Sequence, residues 1–153
     1  MKNILLLSVL ALIFMTGCSQ KTSAPISSAK GIHFQYDSYD KIMEMAKNQN
    51  KPVFIDFVTV WCAPCKWLEK DVFELKQVGE YFNENFISLK IDAEKGEGPD
   101  IADMFEVYGY PTLVYLDSNG NVIQKHTGMT SMSHVMSMAR ETVDANNNLS
   151  GTY

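Results

Sequence analysis

The feature that most constrains this chain is a pair of cysteines placed where a strongly apolar segment gives way to a helical pattern. Residues 52–59 (PVFIDFVT) are almost continuously apolar and β-branched, which is typical of a strand buried on both faces. Cys62 and Cys65 follow closely and open a segment with helical periodicity that extends to about residue 73. The free N–H groups and the dipole at a helix N-terminus favour a thiolate. We therefore predict an exposed, readily ionised sulfur on Cys62, with Cys65 close enough to form a disulfide with it.

The rest of the chain alternates between strand and helix periodicity. Its length of 153 residues suits one domain, and its 46% hydrophobic content is sufficient for a core. The predicted strands cover residues 32–36, 52–59, 86–92, 113–117 and 122–126, and the predicted helices cover about 38–48, 62–73, 77–83, 100–106 and 131–144. Early β-α-β units imply parallel strands, and the Asn-Gly pair at 119–120 predicts a hairpin between the last two strands. The sequence thus predicts an α/β domain with a mixed sheet.

The N-terminus has the pattern of an export signal. Lys2 precedes a mostly apolar run at residues 4–15, which is too short to span a membrane as a helix. The run ends in residues 15–18 (MTGC), which resemble a bacterial lipobox, the sequence that is cleaved before a cysteine that is then acylated. We therefore predict that residues 1–17 are a lipoprotein signal peptide and that Cys18 is lipidated. An ordinary signal peptide with a chance cysteine is the alternative.

The predicted lipid anchor sets the expected domain organisation and location. Residues 18–30 are rich in Ser and Ala and are typical of a flexible tether. The folded domain is then expected at 31–145, followed by a polar, frayed tail at 146–153. A lipid on Cys18 would attach the domain to a membrane of the cell envelope, facing the periplasm or extracytoplasmic space.

Composition and spacing argue against several other functions. The net charge of −5 disfavours nucleic-acid binding, which requires a basic face. The three cysteines are too few for a typical four-ligand zinc site, and the three histidines have no metal-ligand spacing. Half of a zinc site and a purely structural disulfide remain as alternatives for the two-cysteine motif. The nine methionines could suggest copper binding, but most are spaced like core or helix-face residues. No metal site and no cofactor is therefore predicted.

Residues 55–66 (IDFVTVWCAPCK) resemble the active-site segment of the thioredoxin superfamily. The likeness extends over about residues 51–140 and includes a Gly-Tyr-Pro-Thr segment at 109–112, where the family has its cis-proline loop. Asp56 lies where thioredoxins have a buried carboxylate, and Gly128 lies where the family has a glycine at a bend. The resemblance implies a thioredoxin fold, in which a central mixed β-sheet is flanked by helices.

Within this superfamily, the segment after the first cysteine is most similar to the C-terminal thioredoxin domain of thiol:disulfide interchange proteins. The shared residues are Lys66, Glu69, Phe73 and Val78. This likeness implies that the partners are protein or peptide thiols and disulfides. Turnover would need an external electron donor, because the sequence has no flavin or nicotinamide motif. A membrane thiol:disulfide interchange protein is one such donor.

The resemblance also implies roles for the residues near the cysteines. Cys62 would be the attacking thiolate and Cys65 the resolving thiol. Asp56 interrupts an apolar strand, and the family likeness makes it a proton acceptor that helps to deprotonate Cys65. The alternative is that Asp56 is simply paired with Lys90, which is expected on the neighbouring strand, where the matching lysine lies in thioredoxins. The two interpretations are compatible, and Lys90 is included among the candidate catalytic residues.

The substrate-binding residues are predicted on the loop around Pro111. The resemblance implies a cis Pro111 that faces the cysteines, although a proline in this composition would otherwise be an ordinary turn residue. The backbone of Tyr110 would then pair with an extended substrate segment. Trp61 is expected to form a wall of the site, with plain core packing as the alternative, and Met129 is expected to line the groove.

Together these features predict an envelope thiol-disulfide oxidoreductase that reduces substrate disulfides by dithiol-disulfide exchange. Two alternatives remain open. One is an oxidase or isomerase of protein disulfides, which uses the same chemistry at a different reduction potential. The other is a non-catalytic thioredoxin-like binding module.

Overall fold

The computed structural model describes residues 30–150, with only the backbone at residue 150. The predicted signal peptide, Cys18 and nearly all of the tether lie outside the described residues. The elements in chain order are β1 (Phe34–Gln35), α1 (Tyr39–Gln49), β2 (Val53–Val58), α2 (Ala63–Leu68), a π-helical turn (Glu69–Phe73), α3 (Lys76–Asn85), β3 (Ile87–Asp92), α4 (Gly98–Met104), β4 (Thr112–Leu116), β5 (Val122–Thr127) and α5 (Met132–Ser150). Across residues 30–150, no helix has the length and apolar character needed to span a membrane.

The five strands form one mixed sheet in the order β1-β3-β2-β4-β5. β3 pairs in parallel with both β1 and β2, while β4 runs antiparallel to both β2 and β5. Parallel neighbours need crossover helices, which α1 and the segment from α2 to α3 supply. The predicted α/β class and mixed sheet are confirmed.

Side chains that alternate along the central strands divide the core into two layers. On one face of the sheet, Ile55 and Phe57 of β2 join residues of α1 and α4 in a fully apolar cluster. On the other face, Phe54 joins residues of α2, the π-helical turn, α3 and α5. Asp56, two positions after Phe54, faces this second layer, so a carboxylate lies beneath the helix that carries the cysteines.

The C-terminal helix is longer than predicted. The sequence predicts a helix to about residue 144 and a frayed tail from 146, but α5 continues to Ser150. Asn146 is 2% exposed, and its side-chain carbonyl accepts a hydrogen bond from Ser118 N at 2.8 Å. Its amide group donates to Asn50 O at 3.2 Å. Two backbone partners therefore compensate the burial of this amide and hold the end of the helix to the domain.

The connection between β4 and β5 is the predicted hairpin. Gly120 has φ +91°, a conformation that favours glycine. The Asp117 carboxylate closes the loop by accepting hydrogen bonds from Asn119 N (2.8 Å), Asn121 N (2.9 Å) and Asn121 Nδ2 (2.7 Å). Just before this loop, the pairing of β4 with β5 has an irregularity between Tyr115 and Leu116.

Candidate active site

Cys62 and Cys65 are joined by a disulfide at the point where β2 leads into α2, with their Cα atoms 5.3 Å apart. Cys62 is the N-cap residue of α2, and its Sγ accepts a hydrogen bond from Cys65 N at 3.1 Å. Pro64 fits the first turn because it has no N–H to satisfy. The sulfur of Cys62 therefore lies at the end of the helix where unpaired N–H groups favour negative charge.

The prediction that Cys62 is exposed is wrong for this disulfide state. Cys62 is only 2% exposed and Cys65 is 6% exposed. The N-cap conformation turns the Cys62 sulfur inward, toward the backbone N–H of Cys65 and away from solvent. A thiol that attacks this disulfide must therefore reach a sulfur atom that is almost fully covered by the surrounding residues.

Asp56 is a buried carboxylate beneath α2. It is 2% exposed, and within residues 30–150 its Oδ1 has no hydrogen-bond partner. Burial raises the pKa of Asp56 to about 7, while the positive charge of Lys90 lowers it and the negative charge of Glu69 raises it further. The Asp56 charge in turn raises the pKa of Tyr115 on β4, for which burial is the larger cause. A carboxyl group that titrates near neutral pH can accept and release a proton under ordinary conditions.

The alternative that Asp56 is simply ion-paired with Lys90 does not describe this structure. The two residues are register partners on β2 and β3, as expected. The Lys90 ammonium instead donates to Glu69 Oε1 at 2.6 Å and lies 4.5 Å from the centre of the Phe34 ring. Lys90 acts on Asp56 through its charge and not through a direct bond.

Glu69, the partner of Lys90, is the first residue of the π-helical turn that follows α2. In this turn Glu74 N donates to Glu69 O at 2.9 Å, five residues back instead of four. From the sequence, Glu69 was identified only as a residue shared with the thiol:disulfide interchange proteins, and no role was predicted for it. The pairing with Lys90 was not predicted, because the two residues lie 21 positions apart in the chain.

The loop before β4 approaches the cysteine end of β2. The Tyr110–Pro111 peptide bond is cis. Thr112 Oγ1 donates to Gly109 O at 2.7 Å, which holds the loop to the start of β4. Gly128 N donates to Pro111 O at 2.8 Å, and this brings Met129, which is 56% exposed, beside the loop.

Trp61 is a surface residue, so the plain-core alternative is wrong. Its side chain is 64% exposed, and its ring meets Tyr110 edge-on with 5.9 Å between centroids. The indole Nε1 donates to both carboxylate oxygens of Glu94, each at 3.0 Å. The structure thus brings Trp61, Tyr110, Pro111 and Met129 to the same end of the sheet as the cysteines. The contribution of Glu94 was not predicted.

Across residues 30–150, no cluster of three or more His, Cys, Asp or Glu side chains has a geometry suited to a metal ion.

Residues 39–141 match the family described as the thioredoxin-like domain. Protein disulfide-isomerase 1 of Dictyostelium discoideum is 24% identical over 89% of this chain and 34% of its own length. The thiol:disulfide interchange protein DsbD of Campylobacter jejuni is 26% identical over 72% of this chain and 20% of its own length. The chain therefore spans only a third and a fifth of the lengths of these two relatives.

A solution structure of a candidate disulphide-isomerase from Bacteroides thetaiotaomicron shares 35% identity with this chain. The match covers 78% of this chain and 98% of the other, with a TM-score of 0.67. With the family match, this similarity confirms the predicted fold of a mixed sheet flanked by helices.

Proposed function

The chain belongs to the thioredoxin-like family, and on that premise we propose that it is an envelope thiol-disulfide oxidoreductase that reduces disulfides in proteins or peptides. The observation that carries this proposal is the Cys62–Cys65 disulfide at the N-terminus of α2, above the buried Asp56. The described state is the oxidised one, so it is the product of substrate reduction.

The first step begins from the reduced dithiol. The Cys62 thiolate, favoured by the helix N-terminus, attacks one sulfur of a substrate disulfide. An S–S bond forms between Cys62 and that sulfur, and the other substrate sulfur leaves as a thiolate, which takes up a proton from solvent. No net oxidation has occurred, because one disulfide has replaced another.

The second step releases the substrate and oxidises the enzyme. Asp56 accepts the proton of the Cys65 thiol, which suits a carboxyl group with a pKa of about 7. The Cys65 thiolate attacks Cys62 Sγ, the Cys62–Cys65 bond forms, and the second substrate thiolate leaves. The substrate gains two electrons and the enzyme loses two, so an external dithiol donor must reduce Cys62–Cys65 before the next cycle.

Substrate binding is assigned to the loop at Tyr110 and Pro111. An extended segment that pairs with the Tyr110 backbone would pass close to the cysteines, between the exposed side chains of Trp61 and Met129. The exposed aromatic and thioether groups provide apolar contact area that tolerates different sequences.

The location in the envelope rests on the N-terminal sequence. A lipobox-like segment ending at Cys18, followed by a polar tether, supports attachment by lipid outside the cytoplasm. The similarity to DsbD is consistent with an electron donor of the thiol:disulfide interchange class.

The experiment that tests this function traps the intermediate. A Cys65→Ser variant of the full chain cannot complete the second step, so we expect it to accumulate disulfide-linked partners at Cys62 in intact cells. These adducts are identified by mass spectrometry after non-reducing separation. A matched Cys62→Ser variant should trap far fewer, because in this mechanism Cys65 is the resolving residue and Cys62 is the one that attacks the substrate disulfide.

Two further results bear on the proposal. Wild-type protein should reduce insulin with a dithiol donor, and Cys65→Ser should lower turnover by at least about three orders of magnitude. Absence of adducts with Cys65→Ser, together with no insulin reduction by the wild type, would contradict the enzymatic function and favour a binding module.

A further inference from the structure

The indole of Trp61 is unusually well held for a side chain that is mostly exposed. It is 64% exposed, yet it contacts two separate segments of the chain. Its N–H donates to Glu94 in the loop after β3, and its ring edge packs on Tyr110 in the loop before β4. Packing alone would leave an indole with this much exposure free to turn, so the hydrogen bond to Glu94 is significant.

The loop that carries Glu94 is itself fixed. Glu94 N donates to Asp92 Oδ1 at 3.1 Å, and Lys95 pairs with Asp92 Oδ2 at 2.9 Å. Ala93 N donates to Val58 O at 2.9 Å, which ties the loop to the end of β2 just before Trp61. The carboxylate of Glu94 is therefore presented from a rigid support and not from a mobile loop tip.

The geometry identifies Glu94 as a positioning residue for the substrate groove: its carboxylate holds the exposed Trp61 indole against Tyr110, so that protein substrates meet a fixed aromatic wall beside Cys62. This inference rests on the proposed function, because it concerns how that site recognises its substrates. The hydrogen bond joins the single polar group of the indole to a charged acceptor, which is the stronger class of hydrogen bond.

The consequence for specificity follows from the cost of ordering a side chain on binding. A free indole must be immobilised when a polypeptide packs against it, whereas a held indole has already lost that freedom. Protein substrates, which cover the wall, should therefore bind more weakly when Glu94 no longer accepts the indole N–H. The binding of a small disulfide that does not span the groove should be unaffected by the loss of this hydrogen bond.

The test compares two substitutions of Glu94 that separate charge from hydrogen bonding. Glu94→Gln removes the negative charge but keeps a carbonyl acceptor, while Glu94→Met keeps a similar length without a good acceptor. Asp103→Asn is the matched control, because it removes one exposed carboxylate from α4 elsewhere on the surface. All variants are made in the full chain.

The first measurement reports the indole directly. The chain has two tryptophans, so a Trp67→Phe background leaves Trp61 as the only indole emitter. We expect Glu94→Met to lower the fluorescence anisotropy and raise the acrylamide quenching of Trp61, with Glu94→Gln and Asp103→Asn close to the parent. Anisotropy in Glu94→Met that equals the parent value would overturn the positioning role.

The second measurement uses insulin as the protein disulfide and glutathione disulfide as the small one. For Glu94→Met we expect the KM for insulin to rise about twofold to tenfold with little change in kcat, and Glu94→Gln should restore the wild-type value. The KM for glutathione disulfide should not change. Equal changes in KM for both disulfides would contradict the positioning role of Glu94, and so would a change in Glu94→Gln as large as that in Glu94→Met. Either result would indicate that the charge of Glu94 acts on the cysteines.

The two proposals fail in different ways. If the wild type reduces neither disulfide, the enzymatic function is wrong, and the specificity role of Glu94 is wrong with it. If the wild type reduces insulin but Glu94→Met leaves the KM unchanged, only the role of Glu94 is wrong.

Discussion

Asp56 and Asp117 are both buried aspartates, but the structure treats them in opposite ways. Asp56 lies in β2 near the cysteines, and Asp117 follows β4 at the other end of the sheet; their exposures are 2% and 1%. Asp117 accepts three hydrogen bonds from the hairpin that it closes. Across residues 30–150, Asp56 Oδ1 has no hydrogen-bond partner.

The difference separates a carboxylate that stabilises the fold from one that is available for chemistry. The hydrogen bonds that the Asp117 carboxylate accepts hold the hairpin loop in place. Burial without such bonds disfavours the charged form, and it raises the pKa of Asp56 to about 7. A group in this second environment costs stability at neutral pH but can exchange a proton there.

The largest expected effect is on stability and comes from Asp56→Asn in the oxidised protein. The rise in the Asp56 pKa from 3.8 to about 7 corresponds to at most about 4 kcal/mol of destabilisation once the group is ionised. Because the folded state keeps a proton that the unfolded state releases, this cost grows from about pH 4 to pH 7 and is constant above. We expect Asp56→Asn to raise the free energy of unfolding by about 2–4 kcal/mol at pH 8 and by much less at pH 4.5.

Urea unfolding at a series of pH values measures this effect. The wild type should lose stability relative to Asp56→Asn as the pH rises through the window from 4 to 7. A constant difference across that window would show that the ionisation of Asp56 is not its cause. The same variant should slow the release of substrate from Cys62, since Cys65 loses its proton acceptor.

Asp117→Asn should lower the free energy of unfolding, whereas Asp56→Asn should raise it. The substitution replaces one of the two accepting oxygens with an N–H₂ group, which cannot accept the hydrogen bond or bonds donated to that oxygen. We expect the free energy of unfolding to fall by about 1–3 kcal/mol, with insulin reduction at 25 °C unchanged. Asn119→Ala is the control, because Asp117 uses the backbone N–H of Asn119 and not its side chain. Stabilisation by Asp117→Asn would contradict the distinction drawn between the two aspartates.

The smallest effect is expected from Glu69→Gln. This change removes a negative charge that raises the Asp56 pKa and releases Lys90 from its 2.6 Å ion pair. The Asp56 pKa should therefore move to lower pH, and Lys90→Met should move it to higher pH. Carbon-13 NMR titration of the Asp56 carboxyl measures both, with Glu80→Gln on the surface of α3 as the control. Shifts of the same sign in both variants would be inconsistent with charge coupling.

The sequence was informative wherever the signal was local. The apolar strand that runs into Cys62, the hairpin at 119–120 and the order of elements all follow from periodicity and turn residues that lie close together in the chain. The register of β2 and β3 also places Lys90 beside Asp56, as predicted.

The features that the sequence did not reveal depend on distant contacts. Lys90 and Glu69 are 21 positions apart and meet between β3 and the end of α2. Trp61 and Glu94 are 33 positions apart and meet across two loops. Asn146 lies in a polar segment that predicts fraying, but it finds backbone partners 28 and 96 positions away. Pattern reasoning does not identify such pairs, because each residue alone resembles an ordinary surface group.

The two edges of the sheet bear on how the proposed oxidoreductase would avoid prolonged association with its protein substrates. β1 has only two residues, and β5 carries Lys125 and pairs irregularly with β4. Long, flat edges template aggregation when they meet unfolded polypeptides, and short or charged edges resist it. A misfolded protein with exposed backbone should therefore form few strand-pairing hydrogen bonds with either edge. Backbone pairing is then expected at the loop beside the disulfide, where a contact is brief because reduction of the client ends it.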